Sequence, residues 1–475
     1  MIARSTLVAL LCCLAGCAQR LVSPLDYAPI PPSIEEPFRA QPPPQRTVVD
    51  AKEVLRETTL PNGLHVVVVE RHNFPSVAIR LRVDRGAVDF DDVDAASIDQ
   101  MLHLFGRAGD LRTFERLQRE CADNGVGWQL DGDADGVTAG AYGPSRSFAV
   151  ALSVLARVSF QANLSPQEYD QRVAEWKQGG SYSLPHLAER AVLFGPHHPY
   201  GHSPEAHRSP LSREAASSLH ARIFQPAHAT AVIVGDVTLS DVDALAGHWF
   251  GSWVGNDSVV RNAHPPPAVS GPRLSVVSRR DLAQRSAAVF ARGPLVTNED
   301  SVAFEVAARI LGGAHSSTLA EALREHSGAT YGVSSPLYSQ RTASWLSIAA
   351  SYESEKAVES VRRILVAIDT LRSNRESDEE IAVAKATLIA KMRGMMATPS
   401  GAAALYSTWI AHGRNPSNLA DYPAWIDRVG RDDLTRVARS YLALDSLHVV
   451  FVGEDRWLDT RSLGLGEPVA LELWK

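Results

Sequence analysis

The chain has 475 residues, 45% hydrophobic and 21% charged, with a formal net charge of −7. That length exceeds what one compact core holds and predicts at least two domains. The acidic balance excludes the electrostatic footprint of a nucleic-acid binder, and no apolar run reaches the roughly 18 residues needed to span a bilayer.

In chain order, Arg4 and the apolar run Leu7 to Leu14 precede Leu14-Ala15-Gly16-Cys17. Residues 1–17 read as a signal peptide whose last four residues have the order of a bacterial lipobox. This predicts lipidation of Cys17; the alternative is an ordinary signal peptide with Cys17 incidental. A lipid there would anchor the chain without a spanning helix, and Ala18 fits sorting to an outer membrane, facing the periplasm. Cys12 and Cys13 leave with the signal, so Cys121 remains alone. That rules out an internal disulfide and a Cys-based zinc site, and Cys121 reads as a buried small hydrophobe. Residues 18–50, with Pro31-Pro32 and Pro42-Pro43-Pro44, predict an extended tether.

The body begins with strands predicted over Leu64 to Glu70 and Ser76 to Val83, split by a turn at Arg71 to Pro75. Arg213 to Phe224 reads as a helix leading into the apolar strand Ala231-Val232-Ile233-Val234, which ends in Gly235-Asp236. The pattern recurs about 220 residues on: a helix over Asp432 to Leu442, then Val449-Val450-Phe451-Val452 and Gly453-Glu454. One recurrence implies a duplicated domain rather than a solenoid. Between the halves, the Pro/Gly-rich stretch Asn256 to Pro272 marks a linker, taken as 258–272. The expected domains are 51–257 and 273–475. Glu355 to Leu371 and Ser377 to Met396 read as amphipathic helices, the second opened by a Ser377/Glu380 capping box. Strand runs followed by helix runs predict an α+β fold, two duplicated domains each with an antiparallel sheet packed against helices.

Several segments together resemble the pitrilysin/insulinase family of zinc peptidases. Leu60-Pro61-Asn62-Gly63-Leu64 is similar to the family's opening segment, with Pro75 and Gly86 following at family-like positions. His198-Pro199-Tyr200-Gly201 matches its H-P-Y-G segment, and Leu311-Gly312-Gly313, Ser316-Ser317 and Leu323-Arg324-Glu325 match the second-domain pattern. The resemblance covers about residues 53 to 470. It implies two α+β domains that pair with a second such unit around a chamber admitting unfolded peptides.

Family enzymes carry H-x-x-E-H on a helix: two histidines at i and i+4 bind zinc, and the glutamate between them works on the bound water. The corresponding residues here are Asp99-Gln100-Met101-Leu102-His103. The resemblance therefore puts Asp99 at the first ligand, Leu102 at the general base and His103 at the second ligand. A register shifted by one, anchored on Phe105, puts Ile98, Met101 and Leu102 there instead. Glu168 and Glu175 stand seven apart, as the family's pair of glutamates does, and make Glu175 the positional equivalent of the third ligand; a solvated helix face is the alternative. Asp99, His103 and Glu175 thus form at most a degenerate metal site without a base. His197, His198 and His202 read as loop residues. The substrate-facing edge strand of the family corresponds to Gly127-Trp128-Gln129-Leu130.

In the second half, Leu319 to His326 reads as a helix stopped by Gly328, and Thr330 to Val333 as a strand. Arg324 and Tyr331 have the family's spacing of seven. The resemblance makes them donors to the substrate carbonyl, reaching across to a zinc site in another domain. The alternative is a surface arginine at a helix C-terminus and a half-buried strand tyrosine. The expectation is a metal-deficient subunit of a heterodimer. It binds peptides and supplies Arg324 and Tyr331 in trans, with zinc held by a related partner that carries an intact H-x-x-E-H. A non-enzymatic envelope scaffold and a weak stand-alone zinc peptidase are the alternatives.

Overall fold

The computed structural model describes residues 54–473 except 92, 94, 107–110, 177–182, 202–208, 256–264, 280–284, 313–318, 320–332, 353–355 and 454–458. Cys17, the proline-rich tether, Arg324 and Tyr331 lie outside the described residues. Glu53–Lys475 forms one compact unit.

The first half contributes strands β1 (Val54–Thr59), β2 (His65–Glu70), β3 (Ser76–Val83), β4 (Gly127–Asp133), β5 (Gly136–Pro144) and β6 (Ala229–Gly235). Its helices are α1 (Ala95–Phe105), α2 (Leu111–Asn124), α3 (Phe148–Val158), α4 (Pro166–Trp176), α5 (Leu184–Phe194), α6 (Arg213–Ile223) and α7 (Leu239–Phe250). The second half contributes β7 (Leu274–Ser278), β8 (Arg285–Gly293), β9 (Val333–Ser334), β10 (Leu337–Ser339), β11 (Ser344–Tyr352), β12 (His448–Gly453) and β13 (Val469–Ala470). Its helices are α8 (Ser301–Ile310), α9 (Ala357–Arg372), α10 (Asp378–Met396), α11 (Pro399–Ala411), α12 (Tyr422–Arg428) and α13 (Arg431–Tyr441). The Ser377/Glu380 capping box opens α10 as expected, with Glu380 N donating to Ser377 Oγ at 3.1 Å and Ser377 N to Glu380 Oε2 at 2.9 Å.

The two sheets repeat one plan. The first runs β1-β2-β6-β3-β5-β4 and the second β13-β7-β12-β8-β11-β10, with β9 also on β11. The expectation of purely antiparallel sheets needs correcting. β2 pairs β6 in parallel, and β7 pairs β12 and β13 in parallel, while the other pairs are antiparallel. A late strand inserts beside an early one in each half, so the two run the same way. Such strands need cover on both faces. Val66 to Val69 of β2 and every residue of β6 are buried.

That double cover ties the halves together. Val66, Val68, Ile79, Leu81, Ala231 and Ile233 of the first sheet share a core with Val277, Ala288, Phe290 and Val450 of the second. Helix α5, from the first half, lies on β8 and β12 and buries Val192, Leu193 and Phe194 there, about 1.5–3 kcal/mol per side chain. Reciprocally, α11 of the second half lies on β3 and β6. Its Ala402, Ala403 and Tyr406 join Val67, Val69, Val232 and Val234 in the other core. Thr398 caps α11, accepting from Gly401 N at 3.1 Å. A Cβ on Gly401 would fall 2.2 Å from the Met395 carbonyl, so α10 and α11 meet only with glycine there.

A charged clasp joins the halves beside these helices. Arg341 Nη1 and Nη2 donate to Asp89 Oδ1 and Oδ2 at 2.9 and 2.8 Å, and its backbone N donates to Asp135 Oδ2 at 2.6 Å. Tyr200 of the H-P-Y-G segment donates to Asp135 Oδ1 at 2.6 Å and accepts from Thr342 Oγ1 at 3.1 Å. The Asp89 side chain is wholly buried. Removing its cation leaves a buried charge unmatched. Arg341→Met is expected to destabilise the chain by about 3–5 kcal/mol, read as a lowered midpoint in urea unfolding followed by circular dichroism.

Candidate functional site

Helix α1 has an apolar face formed by Ala96, Ile98, Met101, Leu104 and Phe105. Ala95, Asp99, Leu102 and His103 lie on the partly open side, as spacings of i, i+4, i+7 and i+8 require. Ile98 and Met101, the residues of the shifted register, are fully buried. The chain reaches α1 through Gly86, where a Cβ would stand 2.4 Å from the Ala134 carbonyl. Only glycine lets this segment cross the β4–β5 turn.

Each residue expected at the metal site has protein neighbours of its own. Leu102 packs down on β4, its Cδ1 2.5 Å from where a Cβ on Gly132 would sit. His103 Nε2 donates to the Arg172 carbonyl of α4 at 3.0 Å, and its ring stands 5.2 Å from Trp176. A carbonyl only accepts, so this nitrogen carries the proton. Asp99 faces Arg190 of α5, whose Nη2 donates to the Pro199 carbonyl at 3.4 Å and whose Nε donates to the Tyr200 carbonyl. Burial holds the Arg190 guanidinium below its ordinary value, while the charges of Asp99 and Asp133 act to raise it.

The two glutamates of α4 differ. Glu168 is a capping residue: its Oε2 accepts from Ser165 N at 2.6 Å, and Arg172 lies 3.8 Å from its Oε1. Glu175 is half-buried and accepts from Gln171 Nε2 at 3.2 Å. Among the described residues, no three His, Cys, Asp or Glu side chains gather in a group that could hold a metal ion. Asp99, His103 and Glu175 are not brought into such a group. His197 is exposed, whereas buried His198 accepts from Tyr200 N at 3.1 Å through Nδ1; His202 lies outside the described residues. Cys121 is buried.

β4, which carries Gly127-Trp128-Gln129-Leu130, is the edge of the first sheet. Asp89, Asp135, Arg190 and Arg341 border this region and were not singled out in the sequence. Of these, only Asp135 had a local signal, the acidic run Asp131-Gly132-Asp133-Ala134-Asp135.

A family profile described as the Peptidase M16 inactive domain matches residues 210–388. Zinc protease PqqE of Helicobacter pylori is 23% identical over 262 residues, 54% of this chain and 59% of that protein. The chain thus matches about three fifths of that relative's length. Among solved structures, a protease from Helicobacter pylori superposes with a TM-score of 0.76 at 19% identity, covering 84% of this chain and 99% of that one. The periplasmic protease PqqL from Escherichia coli superposes with a TM-score of 0.66 at 14% identity, covering 85% of this chain and 46% of that one. At these identities the structural likeness establishes the fold.

The helix bearing Asp99 and His103 is pinned on its far side by a titratable group. Phe105 stacks on His220 of α6 at 4.3 Å, and His220 Nε2 donates to the Ser159 carbonyl at 2.9 Å. Burial lowers the His220 pKa from 6.5 to about 4. The folded state therefore holds a neutral ring while the unfolded chain takes up a proton below about pH 6.5. This stability is present above that pH and is lost as pH falls toward 4. The His220→Leu variant is expected to lose about 2–3 kcal/mol less than the parent between pH 7.5 and pH 4.5, measured by urea unfolding at both pH values.

Proposed function

This chain is a homologue of the pitrilysin/insulinase peptidases, and we propose that it serves as the metal-deficient, non-catalytic subunit of a two-chain zinc peptidase. In that heterodimer it binds unfolded peptides, and Arg324 and Tyr331 reach in trans to a site on a related subunit with intact H-x-x-E-H. The observation that carries the reading is Leu102. Its aliphatic side chain packs on Gly132, and the family resemblance aligns it with the glutamate that would take a proton. Leucine neither accepts nor donates, and loss of general acid–base help costs roughly 100- to 10,000-fold. Asp99 points the same way, facing a guanidinium, and among the described residues no three His, Cys, Asp or Glu side chains gather in a group that could hold a metal ion. These residues do not fit a zinc site.

Zinc bound by the partner would supply an acidified water. The work left to this chain is binding and charge stabilisation: the Arg324 guanidinium and the Tyr331 hydroxyl donate to the oxygen that becomes negative in the tetrahedral intermediate. The periplasmic setting named for PqqL supports an envelope location. The lipobox ending at Cys17 extends this to a lipid anchor, outer-membrane sorting and a proline-rich spacer over 18–50. On the same reading the duplicated domains, 51–257 and 273–475, join through 258–272.

The test is reconstitution with an adjacent-gene homologue that carries the full metal motif. The pair is expected to cleave unstructured peptides, and Arg324→Ala in this chain to lower its kcat by about 100-fold. An unchanged rate would refute the role in trans. The chain alone is expected to carry under about 0.1 zinc per chain and to show no chelator-sensitive proteolysis. Stoichiometric zinc, with cleavage abolished by His103→Ala, would instead establish a stand-alone peptidase using Asp99, His103 and Glu175.

A further inference from the structure

The second half carries an open groove of about 610 Å³ between the β8–α8 loop, the turn after α11, α12 and the start of α13. Its lining lies between residues 296 and 436 and shares nothing with the α1 region. Trp425 of α12 lines it and is half-buried. Trp409 stacks on this ring at 5.9 Å, and Tyr422 meets it edge-on at 6.3 Å. The same aromatic group holds the neighbouring turn, since Trp409 Nε1 donates to the Asn415 carbonyl at 2.8 Å.

The charges of the groove are matched. Arg436 pairs with Asp300 and lies 3.5 Å from Asp433. Arg414 sits 4.4 Å over the Trp409 ring, donates to Ser301 Oγ at 2.9 Å and to the Val296 carbonyl, and feels the charge of Glu305. Arg428 and Glu299, both exposed, add one charge of each sign. The lining thus holds three guanidiniums and two carboxylates, and Asp300 and Glu305 behind it supply two more carboxylates. Neither sign prevails enough to select an ion.

What the groove does offer is neutral hydrogen bonding. Asn298 and Asn415 spend Oδ1 on the backbone N–H groups of Asp300 and Ser417, at 2.8 and 2.9 Å. Their amide nitrogens, the Asn418 side chain and Trp425 Nε1 have no hydrogen-bond partner among the described residues and line the space. A fixed aromatic ring beside donors and acceptors of no net charge suits a ligand with a flat C–H face and a rim of hydroxyls. A nucleotide would stack as well, but its phosphates would meet Glu299 and Asp433. We infer that this groove binds a neutral oligosaccharide of two or three rings, a size its volume admits. One ring stacks on Trp425, and its hydroxyls bond to the amides of Asn298, Asn415 and Asn418. The inference is independent of the peptidase reading.

The test is isothermal titration calorimetry of the full chain with maltotriose, cellotriose, N-acetylated chitotriose and the anionic trigalacturonate. At least one neutral trisaccharide is expected to bind with a Kd below about 1 mM, and trigalacturonate at least about tenfold more weakly. Chitotriose binding alone assigns an N-acetylated glycan, and binding of either glucose trimer an unsubstituted one; both outcomes support the groove. Trp425→Ala is expected to weaken the bound sugar at least about tenfold, and Asn418→Ala about fivefold. Near-UV circular dichroism checks each fold. Should Trp425→Ala fail to fold, the exposed Asn418 carries the comparison. No binding by any neutral trisaccharide at about 10 mM overturns the inference. So does affinity unchanged in the folded variants, which places the sugar elsewhere, and so does a preference for trigalacturonate, which makes the groove an anion site.

Discussion

Strands apolar on both faces dictate this architecture. β2 and β6 in the first sheet, and β7 and β12 in the second, are rich in valine and have buried interiors with no solvent-facing alternation. Helices from the same half cover one face of each sheet. The other face needs a helix, and each half takes it from its neighbour: α5 covers β8 and β12, and α11 covers β3 and β6. The halves fold as one compact unit because neither can bury its own sheet alone. The Arg341 clasp fixes the register of this exchange. It adds direction where apolar packing supplies only area, since a bidentate guanidinium–carboxylate pair tolerates little rotation.

How much of this was legible depends on range along the chain. Local signals read well. The capping box at Ser377, the apolar run before Gly235 and its echo before Gly453 all mark elements where the structure has them. Long-range partners left no trace. Arg341 and Asp89 are 252 residues apart, and neither sits in a pattern that marks it. The parallel pairing of β2 with β6 was hidden for the same reason. The turn at Arg71 to Pro75 joins β2 to β3 in sequence, yet β6 lies between them in space. A single sequence shows the turn but not the strand inserted across it.

The site was legible as a list of residues, less so as an arrangement. The helix bearing Asp99 and His103 was implied by the family resemblance, and the structure puts both on its partly open side. What the resemblance could not show was the use each residue makes of that side. Leu102 seats α1 on β4, His103 ties it to α4, and Asp99 answers the charge of Arg190 on α5. Glu168, one of the paired acids, turned out to close a capping box. A glutamate seven residues from another on a helix carries no mark that separates a cap from a ligand.

On the function proposed above, these contacts bear on why such a helix would persist without proton transfer. A helix kept only for metal chemistry would be free to drift when one ligand and the base are replaced, since neither replacement need contact anything. Here Asp99, Leu102 and His103 each have a structural partner, and the three partners lie on three different elements. α1 is therefore held by packing where a metalloenzyme would hold it partly by coordination. A cavity beside β4 is lined by Ala95 and Asp99 of α1 and by Tyr338 of β10 and Trp345 of β11, from the other half. On the reading proposed above, a subunit that binds peptide without cutting it needs that lining to stay in place, and the residues at the former chemical positions are the ones that hold it.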